Sequence, residues 1–398
     1  MAKNITVIGI NYHPEDSAIG LYTTQKAEAL ASKGHNVTVI TGFPYYPAWK
    51  INDEYKKQPY LFSEKINGVR ILRSRQYVPQ TPTFLKRIIH MISFTFGNFI
   101  NLFKSEKPDL VISIVPFTTS ILLGVFLKIR YRSKLWVHIQ DFEFDIAKQT
   151  GLNSKNSIIF KILMIIEKKL LNKADIVSTI SQSMINILKQ KSYSETYFLP
   201  NWIENYNKIS TNTHRYLDSK KVKVLYSGNI GEKQDWKAFL KFSKEISAEK
   251  YEIIVVGDGA KKNWLVDNIK PFPHVKHFLP VPLNELPSLL RSADIHILFQ
   301  KAGVIDAVMP SKILGMMGSS RPSLVIGDLN SEIKTIFDYC KPGIFFETYS
   351  DKVILELDKL IDNSPRTLEM GKSANKYVVA NFSKNKILNG FFKKIDLM

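Results

Sequence analysis

Short runs of β-branched residues that alternate with helical segments constrain this chain more than any other feature. NITVIGI reads as a buried strand, the loop NYHPEDSAIG follows, and LYTTQKAEALASKG is helical, with Leu21, Ala27, Leu30 and Ala31 on one face. Gly34 stands where a helix C-cap belongs, and HNVTVIT is a second strand. Strand, loop, helix and strand within about forty residues is a βαβ unit. VRILRS, DLVISIV, KLWVHIQ and DIVSTIS continue the series, each near a helical segment. After the polar stretch NYNKISTNTHRYLDSKK it restarts with KVKVLYSGN, YEIIVVGDG, VKHFLP, ADIHILF and PSLVIGD. The pattern predicts an α/β protein of two Rossmann-like domains, residues 1–201 and 221–378, with a linker over 202–220. Residues 379–398 read as a terminal helix that packs back on the first domain.

At 398 residues the chain is long enough for two cores. Its single cysteine, Cys340, excludes an internal disulfide framework and a four-cysteine zinc site, and fits a reducing, cytoplasmic setting. The start MAKNITVIGINY is too brief an apolar run for a signal peptide. The uncharged stretch Leu110 to Leu127 reads as a strand broken by Pro116 and followed by a threonine-capped helix, not as a membrane span. The net charge of +19 suggests an acidic partner, whether nucleic acid, anionic lipid or a phosphorylated substrate, or else simply a lysine-rich composition. Aromatic residues are not interleaved with the basic ones as in a nucleic-acid recognition module, which argues against that partner.

In open parallel sheets ligands bind beyond the carboxyl ends of the strands, so two such domains facing each other would form one cleft. The loops expected to line it include 9–20, 41–47, 138–145, 227–234, 257–260, 279–282 and 299–312. In YSGNIGEKQ, Gly228 and Gly231 allow close backbone approach to an anion and Lys233 adds a point charge, although an ordinary glycine turn has the same spacing. In QKAGVIDAVMPSKILGMM, Pro310 and Ser311 open a helix and Lys312 lies in its first turn. A lysine there opposes the helix dipole, which makes sense if an anion sits between ammonium and amides; a plain capped helix is the alternative. Asp306, just upstream, is placed to accept from sugar or ribose hydroxyls. In WVHIQDFEFD, His138 and Gln140 share one strand face and Asp141 begins the next loop. His138 is either a contact to a reacting sugar or a satisfied core histidine. Asp141, Glu143 and Asp145 offer a general base or a solvated loop. Gly20 precedes the first helix without a complete GxGxxG fingerprint. In PYYP, Tyr45 and Tyr46 form a stacking platform for an acceptor sugar or a hydrophobic loop anchor.

Taken in order, GINYHPEDSAIGLYT, GHNVTVITGFPYYP, VHIQDFEFD, STISQSM, FLPNWIE, LYSGNIGEKQ, VVGDG and FQKAGVIDAVMPSK resemble family 4 glycosyltransferases. The similarity is greatest to the colanic-acid-biosynthesis, WcaI-like branch, which includes fucosyltransferases proposed for exopolysaccharide assembly, and it runs from about Ile5 to the terminal helix. The resemblance implies a GT-B fold, a nucleotide-diphosphate sugar as donor with GDP-fucose favoured and UDP-sugars next, retention of configuration, and no cofactor or divalent metal. It implies that Lys233, Lys312, Ser311, Pro310 and the amides around Gly228, Asn229 and Gly231 hold the donor diphosphate, with Gly257, Asp258 and Leu279 beside them. Gly20 would approach from the other domain and His138 or Gln140 would contact the donor sugar. The acceptor implied is a lipid-diphosphate-linked or oligosaccharide chain in bacterial surface polysaccharide assembly.

Two departures stand out. Ala307 and Gly315 occupy the places of two glutamates usual in the family, with Asp306 a substitute for the first, and Asp235-Trp236 replaces a glycine and an apolar residue. The missing glutamates admit a catalytically impaired, donor-binding homologue that acts as a scaffold. For an active enzyme, Lys233 and Lys312 stabilise charge on the departing phosphate, which helps to deprotonate the acceptor in a front-face attack while domain closure excludes water. FLKRIIHMISFTFGNFINLFK (84–104) and SIIFKILMIIEKKLLNK (157–173) are apolar with basic ends; each reads as a core helix or as a contact to an anionic membrane surface. The expected location is peripheral, on the inner face of the plasma membrane.

Overall fold

The computed structural model describes the chain apart from residues 17, 82, 117, 143–157, 205–212 and 302–310. It separates into two compact units: residues 1–201 together with 388–398, and residues 202–387.

The first unit runs β1 (Asn4–Ile8), α1 (Ala18–Ser32), β2 (Asn36–Gly42), β3 (Leu61–Ile66), β4 (Val69–Ser74), α2 (Phe84–Lys104), β5 (Leu110–Val115), α3 (Thr119–Tyr131), β6 (Lys134–Ile139), α4 (Ile158–Leu171), β7 (Ile176–Thr179), α5 (Gln182–Lys191) and β8 (Glu195–Phe198). Its strands lie in the order β3-β4-β2-β1-β5-β6-β7-β8, and all pairs are parallel except the β3–β4 hairpin. LVISIV in β5 is buried at every position, as a parallel strand covered on both faces must be. Helix α1 ends as its glycine predicts. Gly34 has φ +86°, and the His35 amide donates to the Leu30 carbonyl at 3.3 Å, closing the helix end. The uncharged stretch divides into β5 and α3, but Thr118 makes no side-chain cap bond; its backbone is already helical, so its hydroxyl is not presented to the first amides.

The second unit runs β9 (Val222–Ser227), α6 (Trp236–Glu245), β10 (Tyr251–Val256), α7 (Lys262–Ile269), β11 (Val275–Phe278), α8 (Leu286–Ser292), β12 (Ile295–Phe299), α9 (Ser311–Gly318), β13 (Ser323–Ile326), α10 (Glu332–Cys340), β14 (Gly343–Phe346), α11 (Lys352–Ile361) and α12 (Ser364–Phe382), then α13 (Lys384–Asp396). Its six strands are parallel in the order β11-β10-β9-β12-β13-β14. Counted from its own first strand this is 3-2-1-4-5-6, the doubly wound order, which reverses between β9 and β12. The first sheet repeats it along β4-β2-β1-β5-β6-β7, reversing between β1 and β5. Both units are therefore Rossmann-like, as the alternation of strands and helices predicts.

Three strands escape the sequence pattern: β3, β8 and β14. All three lie at sheet edges, and apolar runs do not mark them because an edge strand is only half covered. The helix expected over 379–398 is instead the end of α12 followed by α13. At Ser383 the backbone is extended, because the Ile203 amide donates to Phe382 O at 2.9 Å and the Ile203 carbonyl accepts from the Lys384 amide at 3.3 Å. Only residues 388–398 belong with the first unit. There Phe391 is buried edge-on against Trp136 at 5.2 Å, and Lys3 Nζ donates to the Ile395 carbonyl at 2.7 Å.

One charged residue ties the strand ends of the first unit together. Arg73 on β4 is 0% exposed. Its Nε donates to Glu64 Oε1 at 2.6 Å, Nη1 to the Gly42 carbonyl at 3.1 Å and Nη2 to the His13 carbonyl at 2.5 Å. Arg73→Ala leaves the Glu64 carboxylate without its ion-pair partner and two carbonyls without their donor. It should destabilise the unit by about 3–5 kcal/mol, read as a lower urea midpoint; an unchanged midpoint would show that water replaces the guanidinium at no cost.

Candidate functional site

The reversal in the second sheet places the β9 loop at the switch point, where open α/β sheets hold ligands. The backbone there needs glycine. Gly228 has φ +142° and Gly259 +152°, a region that side chains rarely adopt. A Cβ on Gly257 would lie 2.0 Å from the Gly228 carbonyl oxygen, and one on Gly259 would lie 2.3 Å from Asn229 Oδ1. The β9 and β10 loops thus interlock, and the Ile230 amide donates to the Asp258 carbonyl at 2.8 Å. Asp235 and Trp236, the unusual pair after GEKQ, fasten the same loop. Asp235 caps α6 by accepting from the Ala238 amide at 3.0 Å, and the Trp236 indole N–H donates to the Gly231 carbonyl at 2.9 Å.

Lys312, in the first turn of α9, reaches across this loop. Its Nζ donates to Tyr226 Oη at 2.6 Å and to the Asn229 carbonyl at 3.0 Å, and it lies 4.7 Å from the centre of the Tyr226 ring. Tyr226 Oη donates in turn to the Asn229 carbonyl at 2.6 Å. Burial, followed by repulsion from Lys233, pushes the Lys312 ammonium down to about 7. The nearby Glu232 does not relieve it, being taken by Lys261 at 2.9 Å and Lys301 at 3.5 Å. Among the described residues neither Lys312 nor Lys233 has a carboxylate in an ion pair. Lysine charge beside a glycine loop, with no carboxylate paired to it among the described residues, is an arrangement that can accept an anion.

The first unit presents a different arrangement. His138 on β6 is 0% exposed, with Nδ1 2.9 Å from Ser178 Oγ and Nε2 3.0 Å from Gln140 Nε2. Gln140 and Asn201 exchange amide bonds at 3.2 and 3.1 Å, and the Trp136 indole donates to Ser178 Oγ at 2.7 Å. Burial, followed by the charge of Lys26, holds His138 far below its ordinary value, so it is neutral, with Nε2 accepting from Gln140. In this structure His138 is a buried histidine with both ring nitrogens partnered. Neither His138 nor Gln140 offers a free polar atom to a sugar; together they brace Asn201 at the end of the unit.

Glu15, overlooked in the sequence, organises the loop that carries PYYP. It is 4% exposed, and its Oε1 accepts from the Tyr45 and Tyr46 amides at 2.7 and 2.8 Å while Oε2 accepts from Asn11 at 2.7 Å. Burial pushes its carboxyl up to about 6 despite these donors. Gly20 packs on the same residue: a Cβ there would lie 2.6 Å from the Glu15 carbonyl oxygen. Tyr45 is buried edge-on to His90 at 4.7 Å and Trp49 at 5.5 Å, so it is the loop anchor and not a stacking surface. Tyr46 keeps 37% of its surface exposed while partial burial, followed by the charges of Asp141 and Glu15, raises the pKa of its hydroxyl. Tyr46 and half-buried Asp141 thus lie close together at the carboxyl ends of the first sheet.

A glycosyl transferase 4-like domain matches residues 17–202. WcaI of Escherichia coli (strain K12), a protein named for glycosyl transfer in colanic acid biosynthesis, is 33% identical over 358 residues, 85% of this chain and 87% of that one. The chain belongs to the glycosyltransferase 4-like family. Its fold is that of the GT-B glycosyltransferases. Sucrose-phosphate synthase from Thermosynechococcus elongatus superposes with a TM-score of 0.78 over 99% of this chain and 98% of its own, at 14% identity. HepE of Anabaena, solved with UDP-glucose, superposes with a TM-score of 0.71 over the whole of both chains, at 12% identity.

For this glycosyltransferase the sequence-derived residues therefore divide. Gly228, Asn229, Gly231, Lys233, Gly257 and Lys312 come together in the second unit, and Ser311 opens α9 beside Lys312. Asp258 lies at the same turn, but its carboxylate accepts from the Gly259 amide at 2.7 Å and pairs with Lys262 at 3.1 Å. Leu279, 57% exposed, borders an open depression of about 670 Å³ floored by Phe278, on which Tyr216 stacks at 4.1 Å. Asp306, Pro310, Ala307, Glu143 and Asp145 lie outside the described residues. Gly315 is one turn into α9 and adds no side chain there.

The depressed Lys312 value has a consequence for binding. Without a ligand this ammonium loses its proton as pH rises through about 7, and a bound anion restores it. Affinity for a nucleoside diphosphate should therefore fall between pH 7 and 9, by up to about tenfold per pH unit, with proton uptake on binding in titration calorimetry. The slope should vanish in Lys312→Gln; a slope unchanged by that substitution would assign the titration to another group.

Proposed function

We propose that this glycosyltransferase moves a sugar from a nucleotide-diphosphate donor to a lipid-linked or oligosaccharide acceptor in bacterial surface polysaccharide assembly. The observation that carries the donor reading is Lys312 and Lys233 at the β9 switch-point loop, two lysines that have no carboxylate partner among the described residues. The relative named for colanic acid biosynthesis and the UDP-glucose bound to HepE support the same chemistry. GDP-fucose is the favoured donor and UDP-sugars come next, on the resemblance to the colanic-acid branch.

In the proposed reaction the glycosidic bond to the diphosphate breaks through a transition state with oxocarbenium character. Negative charge then grows on the leaving phosphate, where Lys233, Lys312 and the amides at the start of α9 bind it more tightly than in the ground state. Lysine charge fills the role that a divalent metal plays elsewhere, so no cofactor is required. The leaving phosphate takes the acceptor proton, and attack from the same face retains the configuration. His138 is sealed and neutral and has no part as a base. Tyr46 is the exposed aromatic surface for an acceptor sugar, held in place by Glu15.

GDP, UDP, ADP and dTDP at millimolar concentration, without metal, should separate in a thermal-shift screen, with one base giving the largest stabilisation. Sugar transfer from the matching donor should fall about 10²–10³-fold in Lys312→Ala and in Lys233→Ala. Stabilisation without turnover of any donor would favour a donor-binding scaffold, in keeping with Gly315. No shift from any nucleotide would overturn the proposal.

A further inference from the structure

Helix α2 is apolar on two sides. Its inner side, including Met91, Phe94 and Leu102, is buried, and the helix packs on β2 and β4, the ordinary position of a crossover helix. Its outer side carries Leu85, Ile89, Phe96 and Phe103, exposed at 71%, 51%, 73% and 51%. Those positions fall on one helical stripe, which over 21 residues is about 30 Å long. A crossover helix that faced only water would carry charged and polar residues there. In α2 three uncharged polar residues turn inward instead, His90, Asn98 and Asn101 being at most 1% exposed, while the exposed Lys86, Arg87 and Lys104 lie towards its two ends.

The neighbouring helices widen this face. Helix α3 packs against both α2 and α4, and the Phe126 ring meets Phe99 at 5.0 Å and Phe103 at 5.8 Å. Ile129 on α3 and Ile165 on α4 are 73% and 54% exposed. The charge on the three helices is of one sign: eight lysines and arginines against a single carboxylate, Glu167. Glu167 is itself buried and paired with Lys191 at 2.9 Å. Arg130 lies over the Phe103 ring at 5.1 Å, a cation set among the exposed aromatics.

We infer that this three-helix face docks on an anionic bilayer leaflet, its apolar side chains in the interface and its lysines and arginines on the lipid phosphates. Among the described residues no helix is long and apolar enough to cross a membrane, so the contact is in the plane of the surface. Burial against a second copy of the chain would bring two such cationic sets together without counter-charges, which favours the bilayer as the occupant. The inference rests on this face alone and is independent of the donor reading.

The test uses the full chain and co-sedimentation with vesicles of phosphatidylcholine, with and without phosphatidylglycerol. Partition into the anionic vesicles should be at least about tenfold stronger and should weaken with salt. Phe96→Ser combined with Ile129→Ser should reduce it about tenfold through lost apolar burial, and Lys168→Glu with Lys169→Glu should reduce it by a similar factor through lost charge. Both variants should keep the wild-type melting temperature and the wild-type response to nucleotide, which separates failure at the membrane from failure at the donor site. Absence of partition, or equal partition of the wild type and both variants, overturns the inference. A dimer in sedimentation velocity without lipid, abolished by Phe96→Ser, would give the face to a second copy instead.

Discussion

The close approach of two loop backbones at the carboxyl ends of β9 and β10 is the constraint on which the second unit of this protein depends. Positions 228, 257 and 259 carry no side chain, so the Gly228 carbonyl occupies the place of a Cβ and the two turns share a hydrogen bond. Only then does the Asn229 carbonyl face Lys312, and only then are Tyr226 and Trp236 positioned to hold the loop from below. The lysine is consequently half-buried against neutral acceptors, and Lys233 adds repulsion. Such a group is costly in the unliganded protein, because desolvation and like charge both oppose its ionised form. The cost is recovered when an anion arrives. In the proposed function a diphosphate completes an electrostatic arrangement that the fold leaves open.

The first unit manages its buried polar groups in the opposite way. Every partner of His138 is a neutral side chain, and the chain of contacts through Ser178, Gln140 and Asn201 is closed on itself. Arg73 and Glu15 likewise spend their polar atoms on loop backbones, of the β1 and β2 ends in one case and of the PYYP segment in the other. These satisfied networks hold Tyr46 outward on a rigid base. Rigid supporting groups would suit Tyr46 to the acceptor contact proposed for it.

The surplus of positive charge serves more than one purpose. Lys233 and Lys312 concentrate it at the β9 loop, where both side chains are half-buried. On α2, α3 and α4 it is spread over an exposed apolar face, where single charges are weak and act together. The overall charge of +19 is therefore not one signal but the sum of several, with paired surface lysines such as Lys250 between Asp358 and Asp362 contributing as well.

Much of the architecture was legible from the chain alone, because a central parallel strand is largely apolar and glycine is favoured where a helix end turns left-handed. Both requirements are local, and β5 and Gly34 show them. The close-packed glycine loop after β9 was legible for the same reason, since its glycines stand where the backbones approach. Edge strands β3, β8 and β14 were not, since half-covered strands need no apolar run. Nor did the sequence decide between the two readings of His138 or of PYYP, or mark Glu15 as the residue that holds Tyr45 and Tyr46. Those outcomes depend on which groups meet across 30 or more positions of chain, such as Glu15 with Tyr45 or His138 with Ser178. Local pattern determined the strands, the glycine turns and the family; long-range packing alone decided which polar side chains are satisfied within the fold and which are left to meet a ligand.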